Sequence, residues 1–427
     1  MRKKTFVWVL IGGLIISIVF GTTLSSFAQR TTITYWDPDT REAWKEAWKI
    51  IISDFEKENP DIKIEVTNIP WGELGPKVLA SLAAGTLPDM MYSFSSLAQN
   101  WAFQGATQPV TDIIKEIGED QFSETMLLGV RIEGEYYAIP LATYPHILVY
   151  RKDFYQKAGL EVPESWYDVL FNVRKLHNPP DTYGILLFNK YPEPEILLDL
   201  MGLNNAATFD PEGNVVINSI NTLEALEFER DLFRFSEPGI FAKSETDARL
   251  AFVDGLGAHM LTSPSFADIL ATHPDLRPKF GAVSFPINKG NRGPLAEFCS
   301  LNIAKTTKKR EQIRKFLLYF YRPDNYLRWA QNTVIGHIPV VRSTLENREY
   351  WEYPRIKPFA EFIKAGMKAS TGVLPGMTYG PNKFAALVLS ARIWNEIGDR
   401  VCLKNEDPGE VLKWAQEQIE NIIEEAK

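Results

Sequence analysis

The sequence has few of the residues on which catalysis and covalent cross-linking usually depend. Its 427 residues include two cysteines and five histidines, and the histidines are scattered along the chain. No H-E-x-x-H, G-x-S-x-G or P-loop pattern occurs. Gly255-Leu256-Gly257 lacks the third glycine of a dinucleotide-binding loop. The sequence therefore predicts no catalytic residues, no metal site and no cofactor.

Positive charge is also in the minority. The chain has 46 lysines and arginines against 54 acidic residues, which gives a net charge of −8. Three of the positive charges, Arg2, Lys3 and Lys4, lie in a segment that we expect to be removed, so −8 becomes −11 for the mature chain. An acidic chain without a basic cluster is not expected to bind nucleic acid or anionic lipid.

The first residues have the pattern of a secretory signal peptide. Arg2, Lys3 and Lys4 are followed by an apolar run from 6 to 20 and by the small residues of Ser26-Phe27-Ala28. We expect cleavage after Ala28 and release into a periplasm. The alternative is an uncleaved anchor, but the run is shorter than the ~20 residues that span a bilayer. No cysteine lies near the cleavage point to carry a lipid.

Export leaves the state of Cys299 and Cys402 open. An oxidising compartment permits a disulfide, but the spacing of two cysteines says nothing about their proximity. A disulfide and two buried free thiols are both compatible with the sequence.

The mature chain, about 400 residues, is long enough for two domains. Residues 31–94 predict a βαβαβ unit, with strands at Thr32–Trp36, Ile62–Val66 and Met90–Tyr92. Asp39 and Glu42 resemble a capping box at the start of the first helix. Alternating strands and helices indicate a parallel sheet, and ligands bind at the carboxyl ends of such strands. Further strands are predicted at 183–188 and 281–286.

The stretch from 135 to 160 predicts a crossing between two compact units. Pro140 and Pro145 favour extended backbone on both sides of Leu141–Tyr144, and a strand-like run, Ile147–Tyr150, follows. A proline-kinked edge strand inside one domain is the alternative.

These motifs resemble those of the extracellular solute-binding proteins of ABC importers, in the carbohydrate-binding cluster that includes maltose-binding protein. The resemblance rests on Tyr137-Ala138-Ile139-Pro140, Leu148–Asp153, Lys157-Ala158-Gly159-Leu160, Asn59-Pro60 and Ala84–Met91. Arg151 departs from the asparagine that the family usually has after the tyrosine. The resemblance extends over nearly all of residues 31–427.

The resemblance implies an α/β, two-lobed periplasmic binding protein fold of type II, in which hinge strands join two mainly parallel sheets flanked by helices. The N-lobe would comprise 29–142 and 299–337, and the C-lobe 143–298 and 338–427. It also implies a monomeric, non-enzymatic carrier that binds a mono- or oligosaccharide between the lobes and delivers it to ABC permease subunits.

The candidate ligand-binding residues follow strands or lie near the crossings. Aromatic rings cover the apolar faces of a sugar and a few polar groups fix its hydroxyls. The candidates are Trp36, Asp37, Trp71, Glu73, Ser93, Phe94, Tyr144, Tyr191, Ser263, Ser265, Phe266, Glu297 and Tyr379. Each also has a purely structural interpretation, such as core packing, helix capping or hinge packing.

Two other functions stay open at this stage. One is the same fold with a non-sugar solute such as a polyol, a glycerophosphodiester or a polyamine. The other is a secreted glycoside-acting enzyme, which would need two carboxylates about 5–10 Å apart and usually a scaffold of eight βα units or long strands. Neither of those patterns is found in the sequence.

Overall fold

The computed structural model describes residues 30–190, 196–294, 297–372 and 377–427. The predicted signal peptide and Tyr191 therefore lie outside the described residues. No helix among the described residues is long and apolar enough to cross a membrane. Cys299 and Cys402 are buried and do not form a disulfide.

Eleven strands lie within the described ranges. They are β1 (Thr31–Asp37), β2 (Ile62–Asn68), β3 (Met90–Phe94), β4 (Arg131–Ile132), β5 (Glu135–Tyr136), β6 (Ile139–Thr143), β7 (Ile147–Arg151), β8 (His259–Thr262), β9 (Phe280–Val283), β10 (Phe298–Ile303) and β11 (Ile338–Pro339).

Twenty α-helices flank these strands in the same ranges. In the first third of the chain they are α1 (Glu42–Glu58), α2 (Trp71–Ala84), α3 (Ser95–Phe103), α4 (Thr111–Ile117) and α5 (Glu124–Val130). The next are α6 (Lys152–Ala158), α7 (Trp166–Lys175), α8 (Ile196–Leu203), α9 (Ile220–Phe233), α10 (Pro238–Phe241), α11 (Glu245–Val253) and α12 (Phe266–Thr272). The last are α13 (Arg310–Phe320), α14 (Pro323–Asn332), α15 (Arg342–Leu345), α16 (Arg348–Glu352), α17 (Ala360–Ala369), α18 (Ala385–Ser390), α19 (Ile393–Gly398) and α20 (Pro408–Glu425).

Two sheets form the centres of the two lobes. The larger has the order β11-β6-β10-β3-β1-β2, and the smaller has the order β8-β7-β9. The expected two-lobed α/β architecture is confirmed. The pairing is more mixed than expected, because β1 runs parallel to β2 and β3 whereas β10 runs antiparallel to β3 and β6. In the smaller sheet β7 runs antiparallel to both neighbours.

Three segments connect the sheets. β6 belongs to the larger sheet and β7, which begins four residues later, to the smaller. The chain returns to the larger sheet between β9 and β10, which is the second crossing. The third crossing runs through β11, which pairs with β6 in the larger sheet, and leads to α17, which packs against β9 of the smaller sheet. Thr143, Phe298 and Ile338–Pro339 thus extend the larger sheet by one or two residues past the expected lobe boundaries. The remaining boundaries stay a prediction.

The first helix shows how sequence periodicity builds the N-lobe. One face of α1 is buried and carries Trp44, Trp48, Ile51 and Phe55. The rings of Trp48 and Phe55 contact aromatic residues of α13 and α14. The predicted capping box is wrong. Arg41 is the residue before the first helical turn and caps it with no side-chain hydrogen bond.

Residues 183–188 do not form the predicted strand. The segment makes isolated parallel bridges, from Tyr183 to Gly257 and from Leu186 to Met260. Its side chains from Ile185 to Phe188 are fully buried. The apolar run reflects burial in the C-lobe core, which sequence periodicity does not distinguish from a buried strand.

Candidate ligand-binding site

An aromatic cluster lies where β3 ends and α2 begins. The Trp71 and Phe94 rings stack in parallel, with centroids 3.9 Å apart and planes 3° apart. Tyr144 lies on the first crossing. Its ring centroid is 5.5 Å from that of Phe94 and 5.5 Å from that of His337, which lies on the third crossing. All four side chains come from different segments, so the cluster joins the end of the larger sheet to two of the three crossings.

The Tyr144 hydroxyl is an unsatisfied polar group of this cluster. Its oxygen is buried and has no hydrogen-bond partner among the described residues. Burial raises the pKa of Tyr144 well above its ordinary value, and the negative charges of Glu297 and Glu245 act in the same direction while Arg41 opposes them. The hydroxyl therefore lies among charged groups from both lobes, and no group among the described residues satisfies it.

Glu297 lies at the second crossing beside α3. The Ser96 hydroxyl donates a hydrogen bond to its carboxylate, and its carbonyl oxygen accepts from the Thr143 hydroxyl at 3.1 Å. Burial raises the pKa of Glu297, although the Ser96 bond opposes this. The carboxylate therefore lies buried at the second crossing, held by α3 and close to Tyr144.

The C-lobe contributes a polar network centred on Arg249. Its guanidinium donates to Ser263 Oγ at 2.8 Å and to Glu245 Oε1 at 2.7 Å, and Ser263 Oγ lies 2.6 Å from Ser265 Oγ. Burial would raise the pKa of Glu245, but the charges of Arg249 and His146 hold it below its ordinary value. Ser263 and Ser265 thus belong to one hydrogen-bonded network, and their contact with a ligand stays a prediction.

A second buried pair lies next to this network. His146 Nδ1 is 2.6 Å from Asp199 Oδ2, and both side chains are almost fully buried. Burial lowers the pKa of His146, but the Asp199 carboxylate overcomes this and the net shift is upward. His146 lies in the first crossing, between β6 and β7. Asp199, which lies 53 residues away, carried no sequence signal.

Asp37 has a structural position rather than the predicted hydroxyl contact. It is 1% exposed and accepts hydrogen bonds from Trp44 Nε1 at 2.7 Å and from the Asp39 amide at 2.9 Å. Burial raises its pKa to about 7. Alternation along β1 directs this side chain toward α1, so it stabilises the loop to that helix instead of facing a ligand.

The ligand contacts predicted for Phe266 and Ser93 also disagree with the structure, because both side chains are buried. The Phe266 ring is 0% exposed and packs against Phe252 and Phe280 in the C-lobe core. Ser93 is 0% exposed, and its hydroxyl accepts a hydrogen bond from Asn302 Nδ2 at 2.7 Å within the sheet. Neither side chain offers a surface to a cleft ligand.

The other predicted residues lie on the periphery. Trp36 is half-buried against the apolar cluster beneath α2, and the Lys77 ammonium lies 5.1 Å from its ring centroid. Glu73 is exposed in the first turn of α2. Tyr379 is 46% exposed, with the Arg292 guanidinium 4.8 Å from its ring centroid. Their contribution to ligand binding stays a prediction.

A surface groove of about 610 Å³ lies elsewhere, between α1 and the edge strand β2. Its lining includes Asp37 but none of the Trp71, Phe94, Tyr144 and His337 side chains. We therefore place the candidate site at the aromatic cluster and not at this groove. Among the described residues, no three His, Cys, Asp or Glu side chains are grouped to hold a metal ion.

Known proteins show the same architecture. The family described as bacterial extracellular solute-binding protein matches residues 38–326. A binding protein of Brucella abortus is 24% identical over 408 residues, which cover 92% of this chain and 93% of that protein. The sugar-binding protein MalE from Xanthomonas citri has a TM-score of 0.78 at 19% identity, covering 93% of this chain and 98% of that one. UgpB from Mycobacterium tuberculosis, solved with glycerophosphocholine, has a TM-score of 0.74 at 18% identity, covering 92% and 99%.

Proposed function

The chain belongs to the bacterial extracellular solute-binding proteins of ABC importers, and we propose that it binds a mono- or oligosaccharide between its lobes. The observation that supports this most directly is the stacked pair of Trp71 and Phe94 rings next to Tyr144, whose hydroxyl has no hydrogen-bond partner among the described residues. A pyranose ring has an apolar face that stacks on an aromatic plate and a rim of hydroxyls that need hydrogen-bond partners. The candidate site offers both kinds of contact side by side.

The charges of the site favour an uncharged ligand. Arg41 is paired with Asp39, and Arg249 is paired with Glu245. A phosphodiester would have to compete with these carboxylates for each guanidinium. A polyamine would have to compete with these arginines for the Asp39 and Glu245 carboxylates. An acyclic polyol lacks the ring face that an aromatic plate covers. A sugar therefore fits better than a glycerophosphodiester, a polyamine or a polyol.

We propose delivery without chemical change. Ligand that contacts both lobes favours the closed arrangement, and bending of the three crossings lets the lobes approach each other. The closed protein then docks on the permease subunits of an ABC importer. Export through cleavage after Ala28 would place it in the periplasm, and N-terminal sequencing of the protein from that compartment tests the cleavage position.

A thermal-shift screen tests the proposed ligand class. We expect at least one mono- or oligosaccharide to raise the melting temperature, because a ligand bound only by the native state stabilises it. Ribitol, glycerophosphocholine and spermidine represent the alternative solutes. Chromatography of the sugar after prolonged incubation should recover it unaltered.

Two results would contradict the proposal. Stabilisation by glycerophosphocholine or spermidine and by none of the sugars would assign a charged solute. Release of a shorter sugar or of a transfer product would assign an enzyme.

The variant Tyr167→Ala is the control for non-specific contact of the sugar with an exposed aromatic ring. Tyr167 is 75% exposed on α7 and lies outside the candidate site.

A further inference from the structure

Arg41 lies at the end of the loop between β1 and α1, which is held by hydrogen bonds. Asp37 Oδ1 accepts a hydrogen bond from the Asp39 amide at 2.9 Å. Asn68 Nδ2 donates to the carbonyl oxygens of Asp37 and Asp39 at 3.1 and 3.0 Å. The Asp39 carboxylate in turn accepts from the Arg41 amide at 3.0 Å. The loop therefore presents the Arg41 side chain in a defined direction.

The Arg41 guanidinium links the N-lobe to the third crossing. Its Nε and Nη2 atoms form a forked pair with Asp39, at 3.0 Å to Oδ1 and 2.5 Å to Oδ2. Nη2 also lies 2.8 Å from His337 Nε2. The remaining nitrogen, Nη1, lies 3.9 Å from Asp268 Oδ2, and Asp268 belongs to α12 of the C-lobe.

Asp268 is anchored to the other side of the same crossing. Its Oδ1 accepts a hydrogen bond from the Ile335 amide at 2.9 Å. Gly336 lies so close to α12 that a Cβ atom built on it would be 2.1 Å from the Ser265 Cα. Asp268 Oδ2 is buried and accepts no hydrogen bond of normal geometry among the described residues, although the Gly336 amide lies near enough to lower the pKa of this carboxyl.

We propose that Arg41 and Asp268 form a latch that stabilises the closed arrangement of the two lobes. A buried carboxylate oxygen without a donor is unfavourable, and a charge-assisted N–H···O bond is about 2.7–2.9 Å long. The distance of 3.9 Å is therefore about 1 Å longer than the bond. Further closure at the third crossing would form it, and opening would separate the charges. The latch rests on the hinge closure proposed above.

His337 contacts both Arg41 of the latch and Tyr144 of the aromatic cluster. Because Nε2 accepts from Arg41, the ring is neutral with its proton on Nδ1, and Nδ1 has no hydrogen-bond partner among the described residues. Burial and the Arg41 charge both lower the pKa of His337. The same ring stacks on Tyr144 with a 22° angle between planes. A ligand at Tyr144 and the latch thus act on one side chain of the hinge.

Arg355 is the other cation whose charge acts on Asp268. Its guanidinium donates to the Thr333 carbonyl oxygen, and burial lowers its pKa. Arg355 follows the third crossing in the chain and belongs to the same lobe as Asp268, whereas Arg41 belongs to the N-lobe. Closure changes the Arg41 contact, and this difference makes Arg41 the specific partner.

Pulsed electron paramagnetic resonance on the ligand-free mature chain tests the latch. Spin labels at Glu65→Cys on β2 and Tyr167→Cys on α7 report the separation of the lobes, since both positions are exposed. We expect Asp268→Asn to shift the distance distribution to longer values, because it removes the charge and retains the oxygen for Ile335. Arg41→Lys keeps the charge without the fork and should cause a smaller shift.

The controls separate the latch from general charge effects and from the ligand proposal. Glu352→Gln removes an exposed carboxylate paired with Lys357 and should leave the distances unchanged. Combining Arg41→Lys with Asp268→Asn should add no further opening, because both changes break one contact. Unchanged distances in folded Asp268→Asn and folded Arg41→Lys would refute the latch. A failed sugar screen would refute the ligand class without altering these distances.

Discussion

The indole ring of Trp71 lies flat on the phenyl ring of Phe94, with 3.9 Å between the centroids and 3° between the planes. Trp71 begins α2 and Phe94 ends β3. Each ring covers one face of the other, so only the outer face of each ring is left for other contacts. Tyr144 adjoins this pair through Phe94.

Removing the indole should weaken sugar binding. We expect Trp71→Ala to lower the affinity for the stabilising sugar about tenfold or more, which corresponds to about 1.4 kcal/mol of lost aromatic contact. Isothermal titration calorimetry measures the change. Tyr167→Ala serves as the control and should leave the affinity unchanged. Equal affinities in Trp71→Ala and the parent protein would remove Trp71 from the site.

The Tyr144 hydroxyl should matter to the ligand and not to the fold. We expect Tyr144→Phe to weaken binding roughly 3- to 10-fold, as one hydrogen bond contributes about 0.5–1.5 kcal/mol. Its stability without ligand should stay equal or rise, because an unpartnered buried hydroxyl is removed. Urea unfolding and calorimetry on the same samples separate the two effects.

Tyr326 provides the matched comparison for this test. Its hydroxyl donates to the Leu141 carbonyl oxygen and accepts from the Val340 amide at 3.0 Å. Tyr326→Phe should therefore lower the free energy of unfolding by about 1–3 kcal/mol. If Tyr144→Phe is destabilised to the same extent while its affinity is unchanged, Tyr144 is a hinge-packing residue.

Asp37 should make stability fall as the pH rises. Its folded pKa of about 7 lies above the ordinary 3.8, so folding retains a proton that the unfolded chain releases. This contribution is complete below pH 3.8 and is lost as the pH rises through 7. In the parent protein this group should lower the free energy of unfolding by roughly 4 kcal/mol at most between pH 3.8 and 7. We expect Asp37→Asn to remove that decrease.

Chemical denaturation at a series of pH values measures the difference between the two proteins. Asp181→Asn, at an exposed position, is the control and should reproduce the profile of the parent protein. Parallel profiles for Asp37→Asn and the parent would show that the folded carboxyl ionises normally.

Phe266 should contribute to stability and not to affinity. Its ring is enclosed by Phe252, Phe280 and Phe362, so Phe266→Ala leaves a cavity and should lower the free energy of unfolding by about 3–5 kcal/mol. Sugar affinity, measured by calorimetry at a temperature where the variant is folded, should be unchanged. A loss of affinity at full stability would restore the ligand contact predicted from the sequence.

The sequence alone determined the elements whose signals are local. Alternating residues in β1 and β2, the apolar face of α1 and the left-handed Gly85 that ends α2 are each specified within a few neighbouring residues. The resemblance to the family rests on short motifs in order along the chain, such as Asn59-Pro60, Ala84–Met91 and Tyr137-Ala138-Ile139-Pro140, and the family implied the two lobes.

Only the tertiary structure decided which candidates lie together and which are buried in a core. Trp71 and Phe94 meet because α2 returns over β3, and Ser96 meets Glu297 across 201 residues. Asp37 and Phe266 have the residue types of a sugar site, yet strand alternation and core packing turn both side chains inward. Spacing along a chain reports the local face of an element, whereas a binding site is made by faces that meet only after the chain has crossed between lobes.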